Sequence, residues 1–341
     1  MTRILVTGAA GFIGGYLVQE LLDRGHEVVG LDNFSKYGKV TKSYGRDARF
    51  RLVEGDAKDA SLLKELLGGC QHFVAGAAMI GGIAYFHEFA YDLLAENERL
   101  TAAAFDAALD AHRAGSLRKI TVLSSSMVFE NATVFPTPES ALTSTPPPTS
   151  TYGFQKLACE YFARGARQQY GLPYTICRPF NCVGIGERRA LTDHEIPSGN
   201  LKLAMSHVLP DLVQKVLRGQ DPLHILGAGD QVRCYTYGGD LARGIAECLF
   251  HERATNEDFN LSTPTATTVL ELAALVWRKV HGEAKPFAYV SDAPYAHDVP
   301  RRIPDTRKAR ELLGFEAKTP LDRVLDEVIP WIRAEIEAGR I

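Results

Sequence analysis

The stretch "ILVTGAAGFIGGYL", residues 4–17, constrains the fold more than any other part of the chain. A short apolar run ends at Thr7, glycines stand at 8, 11 and 14, and a helical pattern begins at 12. Glycines here let the backbone turn tightly out of a strand and lie close against a pyrophosphate. The unpaired amides of the helix's first turn then face the phosphates. The spacing GxxGxxG differs slightly from the common GxGxxG, and glycines alone are ordinary turn residues. The signal comes from the combination of a strand before, a helix after and Asp32 closing the second strand, "EVVGLD". The Asp32 carboxylate can accept hydrogen bonds from both adenosine ribose hydroxyls and would repel a 2'-phosphate. NAD is therefore the expected cofactor rather than NADP, although Lys36 and Arg46 nearby weaken that preference. Gly8, Gly11, Phe12, Ile13, Gly14, Asp32 and Asn33 are assigned to the cofactor. Asp56 and Ala57 after the third strand, and Ala75 and Ala77 after the fourth, join them. Asp56 reads equally well as a helix N-cap.

Up to about residue 180, short apolar runs alternate with helical patterns: "RILVTG", "EVVGLD", "RFRLVEGD", "HFVAGAA" and "KITVLSSS", with helices at 12–24, 59–68 and 91–112. Such alternation predicts an α/β fold, a Rossmann-type doubly wound parallel sheet covered on both faces. Beyond it, 183–205 reads as a long loop, followed by helices near 207–218, 268–281 and 320–338 and a strand at "LHIL". The expected division is 1–180 for the dinucleotide and 181–341 for a smaller α/β substrate lobe, with some segments returning to the first unit. A chain of 341 residues, 45% hydrophobic, has ample core for this. Its net charge of −3 shows no basic stripe, which speaks against nucleic acid. No apolar run reaches the roughly 18 residues of a membrane span, and no secretory leader is expected. Six scattered cysteines without CxxC spacing speak against disulfides and a metal site, so a cytoplasmic location is expected.

"TYGFQKLACEYF", 151–162, carries Tyr152 and Lys156 four residues apart at the start of a helix, on one face. A cation beside a phenol stabilises its phenolate. On spacing alone, a solvated surface pair is the simpler reading. The rest of the chain changes this. Gly8, Gly11 and Gly14, Asp56 after a strand, "SSS" at 124–126, Tyr152-x-x-x-Lys156 and "RPFNCVG" at 178–184 occur in that order. So do "GAGDQVRCYTYGGDLARG" and "DTRKARELLGF" further on. The set resembles the extended short-chain dehydrogenase/reductases, the nucleotide-sugar epimerases and dehydratases, over nearly the whole chain.

The resemblance implies that Tyr152 is the acid/base and that Lys156 holds the nicotinamide ribose and favours the phenolate. It implies that a strand-end hydroxyl bonds the reacting sugar hydroxyl. Ser125 matches that place best, with Ser124 and Ser126 as alternatives, and Asn97 matches an asparagine of the surroundings. Asn181, His207 and Arg233 match positions that bind the nucleotide diphosphate, while a structural histidine is the competing reading at 207. Arg302, in "HDVPRRIPD", falls near the sugar pocket or on the surface.

Subfamilies differ at the strand end. Dehydratases carry Thr-Asp-Glu where this chain has Ser125, Ser126 and Met127; 3,5-epimerases need a cysteine, and decarboxylases a glutamate, at the place of Met127. Methionine cannot transfer a proton. What the resemblance leaves is 4-epimerisation, which needs one acid/base and NAD that stays bound. Ketoreductase, dehydratase or 3,5-epimerase chemistry, or a non-catalytic NAD-binding regulator, are the alternatives. "AGAAMIGGIAYF" resembles the Met-Gly-Gly loop of 3,5-epimerases, so Gly81 and Gly82 are placed beside the sugar. Helices 91–112 and 152–169 resemble those that pair across a twofold axis, and Leu93, Leu94, Leu100, Phe105 and Leu109 exceed one buried stripe. A homodimer is therefore expected.

Overall fold

The structure is a computed structural model in which residues 1–81, 88–188, 196–203, 207–294 and 298–341 are described. Its centre is a seven-stranded sheet. The first six strands in the chain are β1 (Arg3–Thr7), β2 (Glu27–Asp32), β3 (Phe50–Glu54), β4 (His72–Ala75), β5 (Lys119–Leu123) and β6 (Tyr174–Pro179). In space the order is Glu257–Leu261, β6, β5, β4, β1, β2, β3, and every pairing is parallel. The chain winds outward from β1 to β3, then crosses to the other side of β1 and continues through β4. This reversal opens a crevice beyond the carboxyl ends of β1 and β4, where open parallel sheets bind ligands.

Both faces of the inner strands are covered, which is why β1, β2, β4 and β5 read as largely apolar runs. Ile4, Val6 and Val28 enter one core with α1 (Phe12–Asp23) and the helix Gly238–Phe250. Leu5, Val29 and Leu31 enter the other, against α2 (Ala60–Leu67), α3 (Ala90–Arg113) and α4 (Thr151–Tyr170). A third core joins Val208–Leu217, Val269–His281 and Leu321–Glu337 in the smaller lobe, where Leu223–Leu226 pairs in parallel with Tyr289–Asp292.

Two elements were not foreseen. Gly238–Phe250 begins on a glycine pair that reads as a turn, yet a Cβ on Gly238 would fall 2.4 Å from the Tyr16 ring. Glycine is what lets this helix lie against α1. The edge strand Glu257–Leu261 carries two acids and an asparagine, whose partners are distant. Arg178 and Lys308 bond Asp258, and Glu139 accepts from the Asn260 amide at 2.8 Å. The segment 183–205, expected as loop, contains the antiparallel pair Ile196–Ser198 and Leu201–Leu203. No helix among the described residues is long and apolar enough to cross a membrane.

The basis given for dimerisation is corrected by the packing. Leu93 and Phe105 are buried within the chain, and Leu100 and Leu109 pack against its second core. The apolar surface that α3 and α4 do expose is aromatic: Tyr91 (76% exposed), Tyr161 (68%) and Phe154 (49%).

Candidate active site

The crevice continues into a cavity of about 1010 Å³. Single-ligand pockets usually hold about 300–1,000 Å³, so this one has room for a dinucleotide and a second ligand. The glycine loop forms one wall. Gly8 has φ +73°, a left-handed turn, and a Cβ on Gly14 would sit 2.0 Å from the Gly8 carbonyl oxygen. No larger residue fits at 14 without moving the backbone. Asp59 caps α2 and Ser150 caps α4, whereas α1 has Gly11 at its N-cap, no side-chain cap and no acid in its first turn. Its amides are thus left for an external anion.

Asp32 ends β2 with one carboxylate oxygen accepting from the Ala10 amide at 2.9 Å and the other from Phe34 at 2.8 Å. It holds the glycine loop and lines the cavity. Asn33 and Lys36 line it too, with the Lys36 ammonium 5.0 Å from the Tyr37 ring centroid. Asp56 is not the N-cap of α2. Asp59 takes that role through the Ser61 and Leu62 amides, while Asp56 accepts from Lys58 N at 2.9 Å and, with Ala57, faces the cavity. Thr7 Oγ1 accepts from the Gly76 and Ala77 amides at 3.1 Å, which draws the end of β4 against Gly8. Ala77 lines the cavity, whereas Ala75, assigned to the cofactor from the sequence, does not; both pack against the second core. Phe12 and Ile13 complete this wall. The donors and the shape fit a dinucleotide pyrophosphate at α1 and its adenosine ribose at Asp32.

Tyr152 and Lys156, one turn apart on α4, both face the cavity. Tyr152 is 5% exposed and packs with Leu93, Met127 and Val299. The Lys156 ammonium donates to the Leu123 carbonyl at 2.9 Å and lies 5.9 Å from the Tyr152 ring centroid. The three serines separate clearly. Ser124 lines the cavity too, but its hydroxyl donates to Glu160 at 2.6 Å within a buried network. Ser125 caps the short helix Ser126–Phe129 by accepting from Met127 N at 3.2 Å, and its hydroxyl hydrogen stays available to the cavity it lines. Ser126 and Met127 line it as well. Asn97, 1% exposed, accepts from Met79 N at 2.7 Å and donates to Met79 O at 2.9 Å, which pins the loop carrying Ile80 and Gly81 at the cavity wall. Gly82 lies outside the described residues.

At the far side Asn181 has φ +34°, and its Nδ2 is buried without a partner. Arg233, 5% exposed, donates to Asp298 at 2.9 Å, so its charge is already matched. His207, exposed at the rim, pairs with Glu187. Arg302 is not a surface arginine: it lines the cavity, and its Nη1 lies 3.6 Å from Met127 Sδ. Sequence reasoning missed Glu130. Its carboxylate accepts from Ser150 N (3.0 Å) and Oγ (2.8 Å), which fixes the entry to the helix bearing Tyr152.

A Rossmann-type sheet with an open glycine cradle, joined to a tyrosine–lysine pair in one cavity, defines a dinucleotide-dependent enzyme. Residues 4–262 match the NAD dependent epimerase/dehydratase family, and the chain belongs to it. Its cofactor is accordingly NAD. Among curated relatives, the UDP-N-acetyl-alpha-D-glucosaminuronate decarboxylase of Bacillus cytotoxicus is 29% identical over 98% of each chain. Among solved structures, UDP-glucose 4-epimerase of Thermotoga maritima with UDP-glucose has a TM-score of 0.79 at 28% identity, covering 98% of this chain and 99% of that one. MoeE5 in complex with UDP-glucuronic acid and NAD has 0.78 at 27%, with the same coverage. The protein is thus a nucleotide-sugar-modifying enzyme.

One prediction follows from Asp32. A 2'-phosphate beside its carboxylate sets like charges together, which costs several kcal/mol. Titration should show NAD binding on the order of a hundredfold more tightly than NADP; equal affinities would contradict the assignment.

Proposed function

We propose that the protein is a nucleotide-sugar 4-epimerase acting through a transient 4-keto sugar. The carrying observation is an asymmetry at one place. Tyr152, Lys156 and Ser125 line the cavity together with Ser126 and Met127, which the family resemblance matches to the two carboxyl positions of a dehydratase. The next carboxylate along that loop, Glu130, is held by Ser150.

In this reading the Tyr152 phenolate takes the proton of the C4 hydroxyl, and Ser125 donates to the same oxygen. Lys156, fixed by the Leu123 carbonyl, keeps a positive charge beside the phenolate. NAD held by the glycine cradle and Asp32 would supply the hydride acceptor for C4 and the hydride donor for its opposite face. Tyr152 then gives the proton back to the oxygen, so neither protons nor electrons are gained overall. The cavity's volume leaves room for the keto sugar to turn over. Asn181, with its unpartnered amide, and Arg233 are assigned to the nucleotide diphosphate, with His207 at the rim. The named relatives make UDP the first nucleotide to try. The test is incubation with UDP-hexoses and NMR of the product. A C4 epimer without accumulation of reduced cofactor supports the reading; a 6-deoxy-4-keto sugar or a pentose defeats it.

We also propose a homodimer through the outer faces of α3 and α4, where Tyr91, Phe154 and Tyr161 lie exposed. Light scattering should give twice the chain mass, and Tyr161→Arg should shift it toward the monomer. A monomeric wild type at micromolar concentration would refute this. All six cysteines are free, which suits the reducing cytoplasm; fractionation to an oxidising compartment would count against that placement.

A further inference from the structure

Arg302 is a cation facing the cavity, and no described residue forms an ion pair with it. Its backbone is fixed, the amide donating to Val232 O at 3.0 Å. Its guanidinium has one weak side-chain contact, to Met127 Sδ, and its Nε is buried without a partner. No described carboxylate forms an ion pair with it. The neighbouring Asp298 is already engaged by Arg233, and Arg233 itself is a second positive charge close by. Burial, then Arg233, pull the Arg302 guanidinium down to about 9, so it is still charged at neutral pH. A half-buried charge with no ion-pair partner of its own carries a desolvation cost. It is tolerable where a ligand brings the opposite charge, and a guanidinium is shaped to take a carboxylate with two parallel hydrogen bonds.

Its position says which anion. Arg302 lies against Met127 and near Tyr152, the place to which the 4-epimerase reading assigns the C4 oxygen. The carboxyl carbon of a hexuronic acid is two bonds from C4. The residue beneath the guanidinium is Met127, whose thioether brings no charge to it. We propose that the substrate is a nucleotide-linked uronic acid, its sugar carboxylate bound by Arg302. This rests on the 4-epimerase reading only in placing C4 at Tyr152.

Calorimetric titration of the NAD-loaded protein with UDP-glucuronate, UDP-glucose and UDP tests it without turnover. Wild type should bind UDP-glucuronate roughly 10- to 100-fold more tightly than UDP-glucose, the range of a charge-assisted pair. Arg302→Met should bring the two sugars to near equality and leave UDP affinity unchanged. Equal wild-type affinities for the two sugars, including no binding of either, overturn the proposal. So does a loss of UDP affinity in the variant, since Arg302 would then serve the diphosphate. If Arg302→Met does not fold, the wild-type ratio alone decides. A protein that prefers the uronate but forms no C4 epimer refutes the reaction reading and leaves this inference standing.

Discussion

Tyr152→Phe is expected to lower turnover by about 10²- to 10⁴-fold, the usual contribution of a positioned acid/base. The change removes one oxygen and keeps the ring. The ring is what packs with Leu93, Met127 and Val299, so the fold should survive. The glycine cradle and Asp32 are untouched, so NAD affinity should stay within a few fold of wild type. Measuring turnover and NAD binding on the same preparation separates a lost proton carrier from a damaged site. Turnover close to wild type would mean that another group carries the C4 proton.

Arg178→Met is expected to cost about 3–5 kcal/mol of stability, the penalty for stranding a buried ionic partner. Arg178 is fully buried and donates to Glu160 at 2.8 and 2.7 Å and to Asp258 at 2.6 Å. Glu160 is equally buried, and Ser124 at 2.6 Å would be its main remaining partner. These contacts tie α4 to β6 and to the edge strand Glu257–Leu261. They also engage the Ser124 hydroxyl through Glu160, whereas the Ser125 hydroxyl accepts from Met127 N. Urea denaturation should show the loss, and the double variant Arg178→Met/Glu160→Leu should recover much of it, because no unpaired charge is then left beside α4. A single variant as stable as wild type, or a double variant no better than the single, would contradict this account.

What could be read from the sequence was local. The glycine loop declares itself because turn, strand end and helix start are neighbours in the chain. Tyr152 and Lys156 declare themselves because one helical turn separates them. Ser125 could be favoured but not isolated, since the hydroxyls differ only through Glu160, 36 positions from Ser124. The edge strand was missed because its acids look solvent-facing until Arg178 and Lys308 are brought to them. Arg302 was ambiguous for the same reason: what makes it a site residue is Met127, 175 positions away. Asp56 shows the opposite case, two local roles that only the capping of α2 by Asp59 separates.

The central claim is that the chemistry is confined to the oxidation and re-reduction of C4 at Tyr152. Running the reaction in heavy water tests it directly, with UDP-glucuronate and UDP-glucose both supplied and the products examined by NMR and mass spectrometry. If only C4 is oxidised and reduced, the hydrogen on that carbon comes back from the cofactor and no other C–H bond breaks. The account predicts a C4 epimer carrying no carbon-bound deuterium. Deuterium at C3 or C5, whether from enolisation, elimination or loss of the C6 carboxylate, would contradict it.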